Sequence, residues 1–126
     1  MKNKLIVSLS IASVLLFGSG AAFARTASVD AIAVDDVRGL AGDAAGYGVG
    51  QGDSADVANA GAMQACAQAG NDKCELVLTY EACGAYASNK TVYGVGKGDT
   101  KEAAAQAAMQ ACGRDSCVVV VADCVS

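Results

Sequence analysis

Two stretches of the chain share one pattern of small, apolar and polar positions. Residues 47–66 (YGVGQGDSADVANAGAMQAC) and 93–112 (YGVGKGDTKEAAAQAAMQAC) are identical at twelve of twenty positions without a gap. In each, YGVG alternates large side chains with glycines, which predicts a strand with one nearly bare face. The alanine-rich segment that follows predicts a helix that can dock closely on that strand.

A second β-like segment follows each predicted helix. It is CELVLTYEAC (Cys74–Cys83) in the first copy and CVVVVADC (Cys117–Cys124) in the second. The valine run is apolar at every position, which predicts a central strand covered on both faces. At a sheet edge the same run would be a docking or aggregation site. Between the copies, the alternation around Ser88-Asn89-Lys90 predicts a hairpin.

These elements predict a single small α+β domain built from two repeated strand-helix-strand units, 44–83 and 84–126. We expect an antiparallel or mixed sheet packed by two helices. Residues 25–43 are expected to form a flexible N-terminal lead-in.

Aspartates stand at the predicted start of each helix. Asp99 is expected to be an N-cap, with Glu102 three residues later completing a capping box. Asp53, with Asp56, is expected to be a weaker version of the same cap. The glycines before them do not form a phosphate-binding loop, because the spacing of a P-loop is absent and Gln51 replaces Lys97 in the first copy. We therefore predict no nucleotide cofactor.

The N-terminus has the features of a secretory signal peptide. Lys2 and Lys4 precede the apolar stretch 5–18, and Ala22-Phe23-Ala24 suits a signal peptidase. With cleavage after Ala24, the mature protein is expected to be periplasmic or secreted, with no membrane span. Its 7 basic and 13 acidic residues disfavour nucleic acid as a partner and favour a basic protein.

All six cysteines follow the predicted cleavage site, which indicates disulfides in an oxidising compartment. The repeat predicts two local bridges, Cys66–Cys74 and Cys112–Cys117. The remaining pair, Cys83–Cys124, is expected to tie the two units together. The chain has no C-x-x-C motif and no histidine, so neither a thioredoxin-like redox site nor a metal site is expected.

The absence of histidine also excludes the Ser-His-Asp and Cys-His mechanisms. Paired carboxylates remain, with Asp53 and Asp99 as the recurrent pair, but a helix cap is a poor general acid. The acidic pair Asp35-Asp36 lacks the spacing of a calcium loop. Tyr80 and Tyr86, on either side of Cys83, are either packed core residues or a partner-binding surface.

The duplicated aromatic-Gly-x-Gly start, the capped alanine-rich helix and the helix-end cysteine resemble the bacterial domain of unknown function 4189. The resemblance covers about residues 44–125 and implies a compact, disulfide-containing α+β fold. It implies no assigned enzymatic activity and supplies no catalytic residues.

We expect a non-enzymatic exported module that binds another macromolecule, such as an inhibitor or immunity-type protein directed at a basic envelope-attacking enzyme like lysozyme. One alternative is a cell-wall or carbohydrate hydrolase that uses Asp53 and Asp99. Another is a structural envelope or secreted component with no defined ligand.

Overall fold

The computed structural model of the protein describes residues 28–36, 45–89 and 91–126. Within these ranges the elements follow one another as two ββαβ halves. Their bounds are β1 Val29–Asp35, β2 Gly46–Gly52, α1 Ala55–Gln68, β3 Glu75–Tyr80, β4 Cys83–Ser88, β5 Tyr93–Gly98, α2 Lys101–Cys112 and β6 Val118–Cys124. The predicted signal peptide and the predicted cleavage site after Ala24 lie outside the described residues.

The strands form two three-stranded antiparallel sheets, each with the first strand of its half at the centre. The first sheet has the order β2-β1-β3 and the second has the order β5-β4-β6. Helix α1 packs on the first sheet and α2 on the second. The predicted α+β fold of two repeated units is confirmed, with the strands divided between two sheets and not gathered in one.

Strand β1 lies in the segment that was expected to be a flexible lead-in. That expectation is wrong for Val29–Asp35, because every residue of this strand from Asp30 onward is buried. Strand β1 pairs with β2 on one side and β3 on the other, so the first sheet could not form without it. The structured domain therefore begins before the predicted boundary at residue 44.

The molecule has four layers, in the order helix, sheet, sheet, helix. Successive side chains of the two central strands, β1 and β4, point alternately to the helix and to the opposite sheet. Ala31 and Ala33 of β1 pack against α1, and Ala85 and Ala87 of β4 pack against α2. The intervening side chains point the other way and form a third core where the sheets face each other. Its buried members are Ile32, Val34, Tyr80, Tyr86 and Val121.

The glycines of β2 and β5 bring each helix into close contact with its sheet. A Cβ atom at Gly50 would lie 2.1 Å from the backbone nitrogen of Ala62, and one at Gly96 would lie 2.4 Å from that of Ala108. Real Cβ atoms do not approach backbone atoms so closely, so the glycines are required by the packing. Their role is structural, as the bare strand face predicted.

The valine run forms an edge strand, so the prediction of a central strand is wrong. Strand β6 pairs with β4 on one side only. Val121 points into the core between the sheets, whereas Val118 and Val119 are exposed. The first strand of each half is the central strand of its sheet, which leaves the last strand at the edge.

The helix caps are the hydroxyl residues that follow the predicted aspartates. The side chain of Ser54 accepts a hydrogen bond from the Val57 amide, and that of Thr100 accepts one from the Ala103 amide. The predictions for Asp53 and Asp99 are therefore wrong by one residue. Since α2 begins at Lys101, Glu102 is its second residue, one position too early for a capping box with Thr100.

The six cysteines are joined as Cys66–Cys74, Cys83–Cys124 and Cys112–Cys117. These are the pairs expected from the repeat, but one of them has a different role. Cys83 and Cys124 face each other on β4 and β6 of the second sheet. This bridge therefore lies within the second half and does not tie the two halves together.

Candidate functional site

The two aspartates considered for hydrolysis are exposed and belong to different layers. Asp53 precedes α1 and Asp99 precedes α2, and each helix packs on its own sheet. The structure therefore does not bring them together as a pair of acid and base.

The two tyrosines considered as a binding surface are core residues. Tyr80 and Tyr86 are each 2 % exposed. The hydroxyl of Tyr80 donates to Asp123 Oδ2 and that of Tyr86 donates to Asp36 Oδ2, both at 2.7 Å. The partner-binding alternative is wrong for these residues, because their rings fill the space between the sheets.

Two groups of carboxylates instead lie at opposite ends of β1. Asp35 and Asp36 lie at its C-terminal end, and Asp30 lies near its N-terminal end. A cavity opens at each end of the strand. We describe these two places in turn.

The first place, which we call the acidic cleft, has a volume of about 280 Å³. Three of its lining residues are acidic and Lys73 is its one basic residue among those the structure describes. Tyr93 forms an aromatic wall: it is 56 % exposed, and its ring stacks on that of Tyr86 with centroids 5.6 Å apart. The lining residues are Val34, Asp35, Asp36, Lys73, Glu75, Val77, Tyr86, Asn89, Thr91, Val92 and Tyr93.

Hydrogen bonds fix the walls of the acidic cleft. Asp35 Oδ2 accepts from the Lys73 amide at 3.2 Å. On the opposite wall, Asn89 Oδ1 accepts from the amides of Thr91 and Val92 at 2.7 and 2.8 Å. Tyr93 follows Val92 directly, and its ring is held by its stacking on the ring of Tyr86.

The second place, which we call the Asp30 pocket, has a volume of about 270 Å³ and is lined by Ser28, Asp30, Gln51, Gly52, Val125 and Ser126. Asp30 is fully buried, and neither carboxylate oxygen has a hydrogen-bond donor among the described residues. Its burial, and then the neighbouring Asp123 carboxyl, raise the pKa of Asp30 to about 7. Burial and the bond to Asp123 also raise the pKa of Tyr80 above its usual range.

Sequence reasoning missed Asp30, Glu75, Asp123 and the cleft role of Asp36. A signal was present for the first of these. VDAIAV (29–34) matches CGAYAS (83–88) at both alanines, and the structure pairs these segments equivalently with β2 and β5. Extending the repeat to include this strand would have placed Asp30 inside the fold.

The fold and its bridges define a class of protein: a small, disulfide-stapled α+β domain made of two ββαβ halves in four layers. Within that class the family can be stated. The family model described as a domain of unknown function (DUF4189) matches residues 29–124, and the chain belongs to that family. The match begins with β1 and ends with β6. No curated protein and no solved structure matches the chain.

Proposed function

We propose that this protein is a non-enzymatic exported domain that binds a basic protein, and that the acidic cleft receives a cationic side chain of that partner. The observation that carries the proposal is the combination of carboxylates with the exposed ring of Tyr93 around one cavity. An arginine or lysine can pair with the carboxylates and stack on the ring at the same time.

The size of the acidic cleft suits a side chain better than a whole organic ligand. Its volume of about 280 Å³ lies at or below the lower end of ordinary small-molecule pockets, which start near ~300 Å³. The walls are more polar than such pockets usually are. An excess of acidic residues over the whole chain, 13 against 9 basic ones, would also steer a basic protein toward it.

Export and the absence of catalysis are part of the same proposal. Three disulfides are typical of a protein that resides in an oxidising compartment, and among the described residues no helix is long and apolar enough to cross a membrane. A general acid must come within hydrogen-bond reach of its substrate. Asp30, whose raised pKa would suit that task, is fully buried, which argues against such a role.

A titration with a basic protein tests this proposal, with lysozyme as the probe. We expect binding measured by calorimetry at low salt, weakened at high salt because exposed charges are screened. Glu75→Gln should weaken binding about three- to tenfold. Tyr93→Ala should weaken it at least about fivefold, as the loss of an aromatic anchor does.

The repeat provides matched controls for both substitutions. Tyr47 occupies the position equivalent to Tyr93 and is also exposed, at 43 %, but it does not line the cleft. Glu81 is an exposed carboxylate outside the cleft. We expect Tyr47→Ala and Glu81→Gln to leave the affinity within about twofold. If Glu81→Gln weakens binding as much as Glu75→Gln, or if lysozyme does not bind at either salt concentration, the proposed binding site is rejected.

A further inference from the structure

Asp30 and Asp123 bring carboxyl groups from the two halves of the fold to one place between the sheets, where Asp30 is fully buried and Asp123 is half-buried. Asp30 belongs to the central strand of the first sheet and Asp123 to the edge strand of the second. The Asp123 carboxyl lies close enough to Asp30 to add to the effect of burial in raising the pKa of Asp30, through its negative charge and through a hydrogen bond that requires a protonated carboxyl. The hydroxyl of Tyr80, from the first half, donates to Asp123 at 2.7 Å.

This group of side chains lacks one donor. Ionised carboxylates are acceptors only, and the Tyr80 hydroxyl already donates to Asp123. Both oxygens of Asp30 are sealed from solvent and make no hydrogen bond of good geometry with the described residues; the Gln51 side chain lies near enough to oppose the rise in the pKa of Asp30 but does not prevent it. A buried carboxylate without a partner is costly. A proton on one carboxyl would make it a donor to the other and would remove one of two adjacent charges.

We propose that Asp30 and Asp123 share a single proton, that this proton joins the two halves of the fold, and that the fold loses stability as the pH rises toward neutrality. The proton is held between two acceptors that the sheets place side by side. It does not depend on the acidic cleft at the other end of β1.

No described group around Asp30 offers a compensating positive charge. Strand β2 contributes Gln51, β3 contributes Tyr80, and β4 contributes Gly84 opposite Asp123. The chain after β6 contributes Val125 and Ser126 to the pocket. Since these groups are neutral, no described side chain neutralises the second carboxylate there, and a proton can do so.

The direction of the pH effect follows from the pKa of Asp30. The pKa is about 7 in the folded protein and about 3.9 in an unfolded chain. Between these values the folded state holds a proton that the unfolded state has lost. The free energy of unfolding should therefore fall as the pH rises from about 4 to about 7, and this contribution should be constant above that range.

Denaturant unfolding of the full chain with its disulfides intact, at pH 5 and pH 8, tests the proposal. We expect the unfolding equilibrium constant of the wild type to rise about tenfold or more between these pH values. In Asp30→Asn the amide can donate to Asp123 at every pH, so this rise should shrink to about twofold or less. Asp35→Asn is the matched control, because Asp35 is a buried aspartate (7 % exposed) at the other end of the same strand; it should keep the rise of the wild type.

The proposal is overturned if Asp30→Asn keeps the full pH dependence, or if the wild type becomes more stable at pH 8. Infrared spectroscopy of the wild type provides a second test that needs no variant. At pH 6 ordinary carboxyl groups are ionised, so we expect one protonated carboxyl band to persist, and to disappear by pH 9. Absence of that band at pH 6 would equally rule out a shared proton.

Discussion

The two halves of the molecule have mostly the same residues where each helix packs on its sheet, and mostly different residues where the two sheets pack on each other. Glycines at Gly48 and Gly50 recur as Gly94 and Gly96, and the alanines of α1 that face them recur in α2. In the contact between the sheets, Ile32 is replaced by Tyr86 at the equivalent position of β4. Close packing of a helix backbone on a strand permits few side chains, so that surface has kept its sequence in both halves.

The contact between the sheets shows how a symmetric fold can hold an asymmetric site. Asp30 and Gly84 occupy equivalent positions, and so do Tyr80 and Asp123. A Cβ atom at Gly84 would lie 2.5 Å from Cδ1 of Tyr80. The ring of Tyr80 therefore fits because its neighbour has no side chain, while the equivalent space in the other half holds the two carboxyl groups.

The largest expected effect concerns a bridge that only the second half contains. Cys83 and Cys124 link β4 to β6, whereas Val29 stands at the position equivalent to Cys83. Replacing both cysteines with alanine should lower the free energy of unfolding by about 4 kcal/mol, because the bridge closes a loop of 41 residues. Denaturant unfolding measures this loss.

The local bridges are the comparison for that variant. They close loops of 8 and 5 residues, so removing either one should cost only about 2–2.5 kcal/mol by the same chain-entropy relation. Equal losses for all three bridges would show that loop length does not determine their contribution. Hydrogen exchange should place the main loss from the long bridge in β6 and not in the first sheet.

Most of the fold could be predicted from the repeat, because its repeated residues are those that packing constrains. The helices, the glycine strands and the α+β class all followed from residues 47–66 and 93–112. Strand β1 did not, because its inner face has diverged from that of β4 and only Ala31 and Ala33 match. The edge position of β6 could not be predicted either, because it depends on β4, which occupies the centre of the second sheet.

The candidate sites were much harder to predict, because each is assembled from both halves. The acidic cleft combines Asp36 and Glu75 of the first half with Tyr93 of the second. Asp30 and Asp123 are separated by most of the domain and become neighbours only when the sheets face each other. Local spacing carries no information on such contacts, whereas the two local cysteine pairs lie at repeated positions and could be predicted, and Cys83–Cys124 followed as the remaining pair.

A second prediction concerns the contact between β2 and α1, which can be tested by a substitution in the strand, at Gly50, and by one in the helix, at Gly61. A Cβ atom at Gly50 would collide with the backbone of α1, whereas one at Gly61 of α1 has its nearest neighbour at 3.4 Å, the Cα atom of Gly50. Gly50→Ala should therefore lower the free energy of unfolding by about 2–3 kcal/mol through overpacking. Gly61→Ala should raise it by about 0.5–1 kcal/mol, because alanine favours a helix interior and Ala107 already occupies the equivalent place in α2.

Thermal or denaturant unfolding of the two variants tests whether the packing of α1 requires the glycines of β2. If Gly50→Ala is as stable as the wild type, α1 does not require a bare strand face. If Gly61→Ala is destabilising by more than about 1 kcal/mol, the helix has less room than its partner α2, and the two halves differ at the very surface where their sequences agree.

The smallest expected effect distinguishes the observed helix caps from the aspartates that precede them. Thr100 accepts from the Ala103 amide at 3.0 Å, so Thr100→Ala should cost about 1 kcal/mol in the free energy of unfolding. Asp99 makes no such bond, and Asp99→Ala should cost less than about 0.5 kcal/mol, which reflects only its charge near the helix N-terminus. The longer bond of Ser54, 3.3 Å to the Val57 amide, predicts a smaller loss for Ser54→Ala than for Thr100→Ala. A larger loss for Asp99→Ala than for Thr100→Ala would mean that the aspartate caps the helix in solution.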